Sequence, residues 1–161
     1  MIRLGALLLA AFLAGCSGYR LGGPKPAFSR IEVAPVRNAT ARTGTHAVLH
    51  SKLVEALAAD PRIKVGPGEA VLEAEVVRYQ RDGFTTKTGD AYAYTSYRVT
   101  FEVRCTLKTD NGQRVLFKDR VFRSVGTLQV AGDPAAEELS LGPTLFGDIA
   151  AQVREAATTA W

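Results

Sequence analysis

A few residues in this 161-residue chain have the types and spacing to do chemistry. Cys16 stands directly after Leu13-Ala14-Gly15, and small residues there suit the cleft of a signal peptidase. The arrangement resembles a bacterial lipobox, in which the leader is cut before the cysteine and its thiol takes fatty acyl chains such as palmitate. His46 and His50 lie four apart on a prospective helix and so share a face, which is half of a metal site. Zinc needs three or four ligands, and His50 is the last histidine. No cysteine pair, His-Glu-x-x-His pattern or Asp-rich loop completes the set. Both are expected as partly buried neutral imidazoles beside Leu49, Leu53 and Leu57, with no metal and no cofactor. Cys105 could be a nucleophile, but Val103 and Leu107 share its strand face, and apolar surroundings raise a thiol pKa and leave it inert. Glu73 and Glu75 could pair as general acid and base, yet strand alternation puts them towards solvent, with nothing to shift their pKa. Gly66-Pro67-Gly68 is a turn, because no strand-to-helix transition carries it. Asn38-Ala39-Thr40 has the glycosylation triplet, which means little behind a lipobox. No catalytic constellation survives, so the chain is not expected to be an enzyme.

The elements that must position these residues follow from pattern. Arg3 and the apolar run Leu4 to Ala14 form a secretory leader over residues 1–15, shorter than the roughly 20 residues of a spanning helix. Residues 16–29, with Gly18, Gly22, Gly23, Pro24 and Pro26, suit a lipidated tether. Residues 30–161 then form a single domain, the size at which one core is sufficient. With 47% apolar and 22% charged residues the composition is globular. The net charge of +4 falls by one when Arg3 leaves. This is too mild to indicate nucleic acid, and for an exported chain it points to lipid phosphates, glycans or an acidic protein surface. With Cys16 acylated, Cys105 has no disulfide partner.

Ile31 and Val33 alternate with charged residues in a first strand. Thr45 is the expected N-cap of a helix to about Ala59, stopped by Asp60-Pro61. Strands are expected at Ile63–Val65, Val71–Arg81, Tyr92–Thr109 and Arg114–Val125. Between them lie a polar loop from Asp82 to Ala91 and a hairpin turn at Asn111-Gly112. Asp133-Pro134 should cap and start a terminal helix with Glu137 and Glu138 in its first turn. A break or kink is expected at Gly142-Pro143. The implied fold class is α+β, two helices packed on one face of a four- to five-stranded, mostly antiparallel sheet. Lys87 falls in the loop before the longest strand. Tyr92, Tyr94 and Tyr97 follow, and Arg98, Arg104, Lys108, Arg114, Lys118, Arg120 and Arg123 crowd the next hairpin. This reads as a cationic, aromatic-bordered surface for an anionic lipid or an acidic partner. The returning strand has apolar residues on both faces (Val115, Phe117 and Val121 against Leu116 and Phe122), as if a second molecule covered the outer face.

In order, these pieces resemble the LptE family of lipopolysaccharide-assembly lipoproteins. The matching residues begin with Cys16 and Gly18-Tyr19-Arg20-Leu21, followed by Ile31-x-Val33 and Asn38-x-Thr40. The Gly89-to-Tyr97 approach, Val121-Phe122-Arg123-Ser124 and an amphipathic terminal helix complete the set. The resemblance implies a non-enzymatic partner and plug of the LptD β-barrel, anchored on the periplasmic side of the outer membrane and assisting lipopolysaccharide transport and assembly. It also implies contact with lipopolysaccharide through basic residues in the loop before the central strand, a position Lys87 fits. By strand alternation Arg98 and Arg104, on the non-core face of the longest strand, could extend that surface. The family's second basic segment corresponds to Gln129 to Glu138, which carries no Lys or Arg here. A stand-alone lipid- or glycan-binding periplasmic lipoprotein is the competing reading.

Overall fold

The computed structural model describes residues 26–130 and 134–159, so the leader, Cys16 and the Gly18-to-Leu21 motif lie outside the described residues. Strand β1 (Arg30–Val33) and the short β2 (Arg37–Asn38) lead into helix α1 (Thr45–Ala58). Next come β3 (Lys64–Val65), β4 (Ala70–Lys87) and β5 (Asp90–Thr109). After a 3-10 turn at Asp110–Gly112, β6 (Arg114–Gln129) and helix α2 (Pro134–Thr159) close the fold. The strands form one six-stranded sheet in the order β3-β1-β4-β5-β6, with β2 also on β4. The architecture is the expected α+β. β4, β5 and β6 are antiparallel, whereas β1 runs parallel to β3 and β4, and β2 parallel to β4. The parallel part follows from α1, which works as a crossover and returns the chain in its original direction.

Both helices bury one stripe against the sheet. In α1 that stripe is Thr45, Leu49, Leu53 and Leu57, and the three leucines are fully inaccessible. Each contributes roughly 1.5–3 kcal/mol by burial. In α2 it is Leu145, Phe146, Ile149, Val153 and Ala156. The facing residues are Leu72, Ala74 and Val76 on β4 and Val99, Phe101, Val103, Cys105 and Leu107 on β5, the alternation read from the sequence. Phe146 lies 4.6 Å from the Phe101 ring and joins α2 to the middle of the sheet.

Three local expectations are corrected. The N-cap of α1 is Gly44, at φ 77. Thr45 is the first helical residue, buried, and its hydroxyl donates to the Arg42 carbonyl at 3.2 Å. Residues 82–91 are not a loop. β4 and β5 continue as a long hairpin until Lys87 faces Asp90 across Thr88-Gly89, with Gly89 at φ 86. Solvent reaches both sides of that extension, so it has no hydrophobic alternation to reveal it. Finally, α2 runs through Gly142-Pro143 as one helix, although Pro143 has no N–H to offer the preceding turn. Its start at Pro134 is as expected, and the proposed cap Asp133 lies outside the described residues.

Candidate functional site

The outer face of the sheet, away from the helices, is built by alternation on β5 and on β4, where a bulge between Val76 and Arg78 shifts the phase. Glu73 and Glu75 face outwards and are ion-paired: Lys108 Nζ meets Glu73 at 2.6 Å and Arg37 meets Glu75 at 3.8 Å. Glu102 stands between two guanidiniums, Arg78 at 3.7 Å and Arg123 at 3.9 Å. The face is therefore a ladder of alternating charge with a positive surplus, and not an unbroken cationic plate. Arg104 is exposed among Arg37, Glu73, Glu75, Thr106 and Asp119. Arg98 lies six residues closer to the hairpin tip, which is roughly 20 Å along a strand, and stacks on the exposed Phe84 ring at 4.6 Å. Lys87 ends β4 opposite Asp90, and its side chain lies outside the described residues. The three candidate lipid contacts are thus spread along one long hairpin.

β6 explains the mixed pattern of the returning strand. Two register shifts, between Cys105 and Leu107 and between Leu107 and Lys108, accommodate extra residues near Leu116 and Asp119. Asp119 sits at φ 51 with its N–H donating to Thr106 Oγ1 at 3.1 Å, a bulge that turns the strand. Phe117 and Phe122 consequently both face the helices, with ring centroids 6.0 Å apart. Arg120 also points to the helix side and lies 5.3 Å from the Phe122 ring, so it does not belong to the outer surface. Val115, Val121 and Val125 remain outside and 47%, 53% and 45% exposed.

Burial and charge meet most closely at the start of α2. Glu138 is buried, and its carboxylate accepts a hydrogen bond from the Tyr79 hydroxyl. Arg42 approaches it at 3.3 Å and Arg81 at 3.2 Å. Arg42 and Arg81 also lie over the Tyr79 and Tyr97 rings, at 5.9 and 4.8 Å. Burial, then the Glu138 carboxylate, push the Tyr79 phenol up to about 12. The motif Asn38-x-Thr40 positions Arg42. Asn38 Oδ1 accepts from the Thr40 N–H and hydroxyl at 3.0 and 2.8 Å, while its amide donates to the Arg42 carbonyl at 2.7 Å. Sequence reasoning placed Glu138 in an acidic first turn. The pairing with Arg42 and Arg81 crosses about 57 and more residues of chain and left no local signal. A cleft of about 140 Å³ opens beside it, between Val48 of α1 and Leu139, Pro143 and Phe146 of α2.

The remaining chemical candidates fall apart in space. Cys105 is 1% exposed among core side chains, and burial pushes its thiol up to about 12, as expected of a structural cysteine. His46 and His50 line an open groove with Pro35, Val36 and Ala47. His46 is exposed instead of partly buried, whereas His50 is half-buried as expected. Among the described residues no group of three or more His, Cys, Asp or Glu could hold a metal. No described helix is long and apolar enough to cross a membrane. Asp60, after α1, is clamped by Arg62 at 2.6 and 2.9 Å, and that hydrogen bonding lowers its carboxyl to about 2.

Solved structures share this arrangement. A crystal structure of a protein from Xanthomonas campestris superposes with a TM-score of 0.61 at 17% identity, covering 85% of this chain and 90% of that one. The solution structure of lipoprotein B from Nitrosomonas europaea gives 0.58 at 18% identity, over 87% and 90%. A minor lipoprotein from Acinetobacter baumannii gives 0.55 at 12%, over 83% and 92%. At such identities the likeness is one of fold. No curated protein sequence matches the chain. Residues 28–159, which include every strand and helix described above, match the family model described as LptE, lipopolysaccharide-assembly. The chain belongs to the LptE family of lipopolysaccharide-assembly proteins.

Proposed function

We propose that this protein is an outer-membrane lipoprotein, held on the periplasmic side by acyl chains on Cys16, that binds and plugs an LptD-type β-barrel and assists lipopolysaccharide transport and assembly. The observation that carries the reading is the family match across residues 28–159. The Leu13-Ala14-Gly15-Cys16 sequence supports the anchor, since two or more acyl chains hold a protein firmly where one holds it marginally. The outer sheet face supports a large partner: three half-exposed valines line β6 beside a ladder of charge. The role is structural and not enzymatic.

Lipopolysaccharide contact is assigned to Lys87, Arg98 and Arg104. Their separation along the hairpin suits an extended headgroup surface better than a pocket. A lysine at this end of β4 offers a point charge to phosphates, and the planar Arg98 guanidinium stacks on the Phe84 ring. The test is a pull-down of the tagged full chain from membranes in detergent. A stable complex with a large β-barrel supports the reading. A monomer that carries bound lipid and no barrel would overturn the plug and favour a stand-alone lipid- or glycan-binding lipoprotein.

A further inference from the structure

Among the described residues β6 ends the sheet, and from Arg120 to Gln129 its register against β5 is unbroken. The Val130 N–H donates to the Thr95 carbonyl at 2.9 Å. With a period of two, the backbone groups of Phe122, Ser124, Gly126 and Leu128 face β5, and those of Val121, Arg123, Val125 and Thr127 face the free edge. One contact confirms that direction: the Arg123 carbonyl accepts a hydrogen bond from Gln152 Nε2 of α2 at 3.0 Å. Between this edge and α2 lies an open cleft of about 290 Å³, lined by Arg120, Phe122, Gln152, Glu155 and Ala156 among others. A long regular edge with exposed β-branched residues is a template for another strand, and natural sheets usually blunt such edges. Here the bulge at Asp119 blunts only the first part.

The side chains along the edge define what would pair. On the outer face they read Val121, Arg123, Val125, with the two valines half exposed. Arg123 shares Glu102 with Arg78, so one carboxylate answers two guanidiniums and a unit of positive charge remains at the edge. Glu155 already lines the cleft with Arg120 on the helix side, so an incoming acid is matched to Arg123 and the outer face. We propose that the free edge of β6 accepts an extended polypeptide segment as an added antiparallel strand, with an acidic residue between two β-branched ones facing outwards. Main-chain hydrogen bonds supply affinity and the alternating side chains supply selectivity. Gln152 acts as a removable cap on the Arg123 carbonyl. This inference goes beyond the barrel-plug reading and stands or falls separately from it.

The test uses the full chain in detergent micelles and a capped nine-residue probe peptide with an Ile-x-Glu-x-Ile centre. Amide exchange by NMR reads the edge directly. The N–H groups of Val121, Arg123, Val125 and Thr127 should become protected on adding the peptide, while even-numbered β6 amides stay as they were. Exchanging the central Glu of the peptide for Lys should weaken binding roughly tenfold, because like charges then stand directly opposite. Gln152→Ala should tighten binding severalfold by freeing a carbonyl. Val125→Pro removes an N–H that faces only the edge, a place where proline is tolerated. It should abolish binding while circular dichroism and the core amides remain native. The proposal is overturned if the odd-numbered amides gain no protection in the folded chain. Equal binding of the Glu and Lys peptides, or unchanged binding in Val125→Pro, would also overturn it. Edge protection that appears without peptide as chain concentration rises would assign the edge to a second copy instead.

Discussion

Replacing Glu138 by Ala should destabilise the fold by about 3 kcal/mol. The side chain is 4% exposed and receives Tyr79, Arg42 and Arg81. Breaking a buried ion pair by removing one partner costs about 3–5 kcal/mol, because the other charge is left uncompensated. The low end applies here, since Arg42 and Arg81 retain 30% and 40% side-chain exposure and can turn to water. The Tyr79 hydroxyl, in contrast, loses its acceptor in a half-buried position, which accounts for about 1–3 kcal/mol by itself. Glu138→Gln keeps an acceptor for Tyr79 and should cost about half as much. Because Glu138 ties the first turns of α2 to β4 and to the loop before α1, the loss should be global. Equilibrium urea unfolding followed by far-ultraviolet circular dichroism measures it, and a thermal midpoint roughly 6–12 °C lower should accompany it. Pairing Glu138→Ala with Arg42→Ala should give a coupling energy of about 1 kcal/mol. A loss below about 0.5 kcal/mol with an unchanged denaturant slope, or no coupling, would refute the claim that this cluster holds α2 in place.

Cys105→Val should cost under about 1.5 kcal/mol as a near-isosteric core swap and leave barrel co-purification intact; loss of activity with native unfolding behaviour would restore a chemical role to the thiol. Asp60, held down at about 2 by Arg62, contributes stability above its unfolded pKa of about 4 and loses it as pH falls from about 4 to about 2. Urea midpoints across that range should fall less steeply in Asp60→Asn. Tyr79 shifts the other way. Its folded phenol titrates near 12, above the unfolded value of about 10, so stability should drop as pH rises between the two, and Tyr79→Phe should lessen that drop. Charge reversal at Lys87, Arg98 or Arg104 should weaken lipopolysaccharide binding in a salt-sensitive manner and spare the barrel complex. Unchanged lipid affinity in Lys87→Glu and Arg98→Glu, measured on folded protein at low and moderate salt, would remove the hairpin from the lipid site.

Local chemistry made much of this protein legible from sequence. The Leu49, Leu53 and Leu57 stripe and the alternation from Val99 to Leu107 each reflect a short-range rule. One helical turn or one strand pleat decides which side chains meet the core. The same rule identified Cys105 as a buried thiol and Glu73 and Glu75 as outward carboxylates. It failed where a segment is wetted on both sides. The described side chains of the hairpin arm between Asp82 and Asp90 bury no apolar face, so its strand character rests on backbone pairing across the hairpin and leaves no hydrophobic alternation. Only the tertiary structure decided the rest. The bulge at Asp119 turned Phe117 and Phe122 to the same side, and α1 made half the sheet parallel. Glu138 found Arg42 and Arg81 across two or more intervening strands of chain, and Gln152 reached the edge of β6. All of these are set by strand order, register and packing, which no nearest-neighbour preference encodes.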